Sequence, residues 1–90
     1  MPELFRVFGF VFLIYSRDHG PVHVQVRGHD GEAKYHWDGE GFGLERSVHI
    51  KAGDLRRIER VIAENADLII ARWYEIFPEH EDGTDQEEMV

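Results

Sequence analysis

Two valine- and aromatic-rich runs, Val22–Arg27 (VHVQVR) and Glu32–Trp37 (EAKYHW), enclose the four residues Gly28-His29-Asp30-Gly31. Apolar and polar residues alternate in both runs with a period of two, and a glycine-bounded turn separates them. That pattern predicts a β-hairpin, with the Asp-Gly pair suited to the positive φ of a tight turn. If Val22, Val24 and Val26 face the core, Ala33, Tyr35 and Trp37 share that face. A four-residue loop achieves this by pairing Arg27 with Glu32, Gln25 with Lys34 and His23 with His36. A two-residue Asp-Gly loop keeps the same faces but sets Arg27 against Lys34, and like charges across a ladder repel. The four-residue loop is therefore the expected register, with His23, Gln25, Arg27, Lys34 and His36 on one polar face. A one-residue slip would turn an indole and three valines towards water, at about 1.5–3 kcal/mol for each large side chain exposed.

The rest of the first half also reads as strand. Leu4–Phe8 and Val11–Ser16 join through Gly9-Phe10, and the second of these (VFLIYS) is apolar on both faces, as a covered strand would be. Arg17 to Pro21 is a turn, DGEGFG over residues 38–43 is a glycine-dense loop, and Leu44–Ile50 is a short edge strand. Helical periodicity follows: Leu55, Ile58, Ile62, Ile69, Trp73 and Ile76 recur at three- and four-residue steps, and Pro78 stops the helix. The expected fold class is α+β: an antiparallel sheet of four or five strands with one long C-terminal helix, Asp54 to Phe77, packed on it. Such a helix is about 36 Å long at about 1.5 Å per residue, so it either lies diagonally or overhangs the sheet and meets a second copy.

Composition narrows the functional classes. Ninety residues with 42% hydrophobic content fit one domain, expected over residues 1–77. The net charge of −8 is uneven, because PEHEDGTDQEEMV (residues 78–90) holds six acids and no lysine or arginine, leaving residues 1–77 close to neutral. The tail is expected to be disordered, having too little apolar surface to offset its ordering entropy. An acidic chain whose only basic cluster is Arg56, Arg57 and Arg60 lacks the footprint that nucleic-acid binding requires. Absence of cysteine removes thiolate chemistry and suits a cytoplasmic location, and the apolar run from Phe10 to Tyr15 is too short for a membrane span.

The chemistry-bearing stretch is DHGPVHVQV, residues 18–26. Zinc needs three or four ligands, and His19, His23 and His36 are the imidazoles that could converge, with Asp18 or Asp38 as a fourth. Gln25 interrupts the cluster and no cysteine completes it, so no zinc and no other cofactor is expected. A small hydrolase, ribonuclease-like or metal-assisted, would use His23 and His36 as acid and base with Lys34 or Arg27 steadying an anion. As a binding face the same region offers His19, His23, Gln25, Arg27 and His36. No phosphate-cradling glycine loop or Ser-His-Asp arrangement is present.

These residues also carry a family resemblance. Pro2, Tyr15-Ser16, His19, Pro21, His23-Val24 and Gly31-Glu32-Ala33-Lys34 before an aromatic, followed by Leu55, Ile58, Ile62, Glu64-Asn65, Trp73 and Phe77, resemble domain-of-unknown-function family 4160 over about residues 2–77. The resemblance implies a small bacterial protein without established activity, linked to toxin–antitoxin-like pairs. The expected role is a non-enzymatic binding or regulatory module with a protein partner, or a homodimer driven by whatever part of the stripe Leu55, Ile62, Ile69, Trp73 and Ile76 one sheet leaves uncovered. Three positions depart from it. Gln25 stands where the family commonly has a second histidine, Val22 replaces a frequent proline, and Lys51 replaces a helix-capping serine, which would move the cap to Gly53 or Asp54.

Overall fold

The computed structural model describes residues 3–15 and 20–78. Five strands, β1 (Glu3–Val7), β2 (Phe10–Leu13), β3 (His23–Arg27), β4 (Glu32–Trp37) and β5 (Phe42–Val48), precede two helices, α1 (Ala52–Glu64) and α2 (Ala66–Ile76). The strands form one antiparallel meander in chain order, β1-β2-β3-β4-β5. The α+β class and the antiparallel sheet are those the alternation predicts. His19 and the acidic tail beyond residue 78 lie outside the described residues.

The central hairpin takes the four-residue register. His23 pairs with His36, Val24 with Tyr35, Gln25 with Lys34, Val26 with Ala33 and Arg27 with Glu32. The Gly28 N–H donates to the Gly31 carbonyl at 2.8 Å across the loop. Positive φ is not what the Asp-Gly pair supplies here. Gly31 is instead pressed against the turn that leaves β5, where a Cβ would collide with the carbonyl oxygens of Val48 and His49. The described residues with positive φ are elsewhere: His49 is at 56°, Gly39 at 101° lies in the β4–β5 turn, and Phe8 at 56° and Gly9 at 81° form the two-residue loop between β1 and β2. That loop sits one residue earlier than the expected Gly9-Phe10.

One sheet face is sealed by the helices. Phe12, Val24, Val26, Ala33 and Tyr35 pack against Ile58, Val61 and Ile62 of α1 and Ile69 of α2. A second cluster joins Ile14 and Val22 to Trp73 and Phe77, with Trp37 packed against it. Trp37, expected deep in the core, is half-buried at the rim of this cluster.

The single long helix does not form. It breaks at Asn65, which takes φ −119° and ψ 18° between α1 and α2. A straight rod of about 36 Å overhangs a five-strand sheet only about 20 Å across, and the break keeps both apolar stripes on protein. Asn65 suits the corner because its side chain competes with the helix for backbone partners. Its amide Nδ2 donates to the Val61 carbonyl at 2.8 Å, and its own N–H reaches the carbonyls of Val61 and Ile62. At the other end the N-cap is Lys51 with no side-chain cap, not Gly53 or Asp54. Asp54 in the first turn favours the helix dipole and holds Arg57 at 3.3 Å.

Gly31→Ala tests the close approach at the hairpin loop. Moving backbone carbonyls to admit a methyl group is expected to cost about 1–3 kcal/mol, read as a lower urea midpoint with an unchanged slope.

Candidate functional site

The hairpin places its histidines as its register requires, since His23 and His36 are direct cross-strand partners with Gln25 opposite Lys34. Their environments differ sharply. His23 is 5% exposed, and its ring lies 4.8 Å from the Trp73 ring at 60°. Its Nδ1–H donates to the Pro21 carbonyl at 2.9 Å, which places the proton on that nitrogen. The expected polar-face histidine is thus a core residue at the end of β3, held between the Pro21 turn and the helix that follows the Asn65 break.

His36 is governed by a bulge. The β4–β5 register shifts between Lys34, opposite Arg46, and Tyr35, opposite Leu44, so Glu45 is an extra residue on β5. A bulge re-aims a side chain. Here the Glu45 carboxylate lies 3.7 Å from the Lys34 ammonium and 3.7 Å from His36 Nδ1. A parallel arrangement crosses three strands at the far end of the face: Glu32 lies 3.8 Å from Arg27 and 3.2 Å from Arg46. Although Lys34 stands directly opposite Arg46, each has a carboxylate in reach, Glu45 for Lys34 and Glu32 for Arg46. Leu13, opposite Gln25, is nevertheless buried on this side of the sheet, as the doubly apolar β2 sequence predicts. The Arg27 guanidinium lies 5.9 Å from the Tyr15 ring centre.

Among the described residues no three His, Asp or Glu side chains are grouped to hold a metal ion. Of the five residues named above as binding candidates, the structure brings His23, Gln25, Arg27 and His36 onto adjoining positions of one hairpin. Lys34, the third catalytic candidate, stands between His36 and Glu32 on the same strand.

A shallow depression of about 400 Å³ at the hairpin loop is lined by Arg27, Glu32 and Val48, and two smaller clefts lie away from His23 and His36. A cleft of about 180 Å³ opens where the helices break, between the β4–β5 turn and the α1–α2 corner. A second, of about 280 Å³, is lined by Phe10, His29, Gly31, His49 and Lys51 around the hairpin loop. Neither is lined by His23, Lys34 or His36. At the first cleft the buried Tyr35 hydroxyl donates to Glu59 Oε2 at 3.0 Å, linking β4 to α1. Burial, reinforced by that carboxylate, pushes the Tyr35 phenol well above its ordinary range. In the neighbouring turn Asp38 accepts the N–H groups of Glu40 and Gly41 at 2.8 and 3.0 Å, which holds its carboxyl below the usual range. Sequence reasoning missed Glu45 and Glu59. Glu59 lies among the charged residues of the α1 wheel, and nothing in the spacing marks Glu45 as the bulge residue.

No described helix is long and apolar enough to cross a membrane. The chain belongs to the family described as a domain of unknown function, DUF4160, whose model matches residues 9–74. Neither a curated protein nor a solved structure matches it.

Two outcomes check this assignment of roles. His23→Ala is expected to cost about 2–4 kcal/mol in chemical denaturation, because it opens a void against Trp73. His36→Ala, on the exposed side of the sheet, is expected to cost under about 1 kcal/mol. For Tyr35 the folded pKa is raised, so its contribution to stability is complete below the unfolded phenol pKa near 10 and is lost as pH rises above it. Alkaline melting curves should therefore fall from about pH 10, and less steeply in Tyr35→Phe.

Proposed function

We propose that this family member is a non-enzymatic binding module that works through the β5 edge of its sheet, with a second copy of the chain or another protein as the added strand. The observation that carries this reading is the position and character of β5. It is a seven-residue strand at the end of the sheet order, paired only with β4. Leu44 and Val48 on it are 43% and 39% exposed. An edge strand offers unpaired N–H and C=O groups to any extended chain, and exposed aliphatic side chains add buried area when one docks. The Glu45 bulge and Arg46 restrict which chains can pair there, because a partner must meet the local twist and offer complementary charge.

The family resemblance extends this reading to a bacterial cytoplasmic protein acting as one half of a toxin–antitoxin-like pair. The hydrolase reading loses support on geometry. An acid–base pair needs two titrating groups open to substrate, whereas His23 is packed under Trp73 and His36 shares Glu45 with Lys34.

Light scattering checks the edge. The chain is expected at twice its 10.5 kDa mass at high concentration, and Leu44→Lys/Val48→Lys is expected to return it to a single-chain mass with its fold intact. A single-chain mass throughout, together with no strand addition by any protein partner, would remove the proposal.

A further inference from the structure

The cleft at the helix break has a chemistry of its own. Trp37 at the end of β4 and Phe42 at the start of β5 form one wall, their rings 5.2 Å apart at 56°. Ala63 and Ala66, small residues on either side of the Asn65 corner, form the opposite wall. Two carboxylates, Glu40 from the β4–β5 turn and Glu59 from α1, stand in the lining, and no lysine or arginine does. The Tyr35 hydroxyl that donates to Glu59 is neutral, so it orients the carboxylate without cancelling its charge.

We infer that this cleft is a receptor for one cationic side chain, a lysine or arginine presented by a basic segment of a protein partner. Apolar and aromatic walls suit the methylene stem of such a side chain, the faces of Trp37 and Phe42 attract its cation, and the two carboxylates take its charged head. Size restricts the occupant. At about 180 Å³ the cleft falls below the range of about 300–1,000 Å³ typical of sites that enclose a whole small-molecule ligand. Charge selects its sign, because the only charged residues in the lining are Glu40 and Glu59. The cleft is present within a single chain, so the inference goes beyond strand addition at β5 and does not depend on self-association.

Propylguanidinium and n-butylammonium serve as side-chain probes, with neutral n-butanol as the control, in an amide and indole NMR titration of the whole chain. The cations are expected to shift the Trp37 indole N–H and the Ala63 and Ala66 amides saturably, and butanol is expected not to. Glu40→Gln/Glu59→Gln keeps an acceptor for Tyr35 while removing both charges, and should weaken the cations by at least about tenfold. A blocked arginine-containing peptide should move the same resonances. Shifts that scatter over other surfaces, that butanol reproduces, or that survive unchanged in a folded double-glutamine variant would overturn the inference. Because the readout is confined to the cleft, its failure leaves the light-scattering result for β5 untouched, and the converse also holds.

Discussion

The pairing of β3 with β4 is the constraint from which the other features descend. Setting Val24 and Val26 beside Tyr35 and Ala33 makes one face of the hairpin continuous apolar surface. Only that face can nucleate a core with α1, whose Ile58, Val61 and Ile62 are buried against it. The same register leaves Gln25, Lys34 and the Arg27–Glu32 pair on the reverse side, where they remain solvated. Within this hairpin, alternation thus decides the burial of the valines and the placement of Gln25, Arg27, Glu32 and Lys34 together.

The break at Asn65 is the second structural decision, and it follows from size. A sheet of five short strands supports two helical segments at an angle better than one long rod. Bending the chain carries α2 to the end of the sheet, so Trp73 and Phe77 close over Ile14 and Val22 and meet His23. It also leaves the corner between Ala63 and Ala66 facing the β4–β5 turn, which opens the acidic cleft. One backbone irregularity therefore explains both the burial of a histidine and the exposure of a concave surface about which the strand pattern is silent.

What the sequence makes legible is what local periodicity controls. The hairpin register, the edge position of β5, the burial of Leu13 on the second face of β2 and the helical stripe through Ile58, Ile62, Ile69 and Trp73 all follow from spacing. The features that escape it depend on tertiary fit. Asn65 is an ordinary surface residue until the sheet's width is known. Glu45 becomes a shared counter-charge for Lys34 and His36 only because a bulge adds it to β5. Gly31 is required by the nearness of the Val48 and His49 carbonyls, a long-range cause that turn chemistry does not reveal. His23 is the sharpest case: alternation pairs it correctly with His36 but predicts a polar-face residue, and the helix that buries it is set by a break far along the chain.

The claim that most separates this account from a catalytic one is that His23 belongs to the core. The direct measurement is a nuclear Overhauser experiment on the isotopically labelled chain, observing the His23 ring protons. The account predicts strong contacts to the Trp73 indole, consistent with rings 4.8 Å apart. An absence of any His23–Trp73 contact in the folded protein, with the ring open to solvent beside His36, would contradict it.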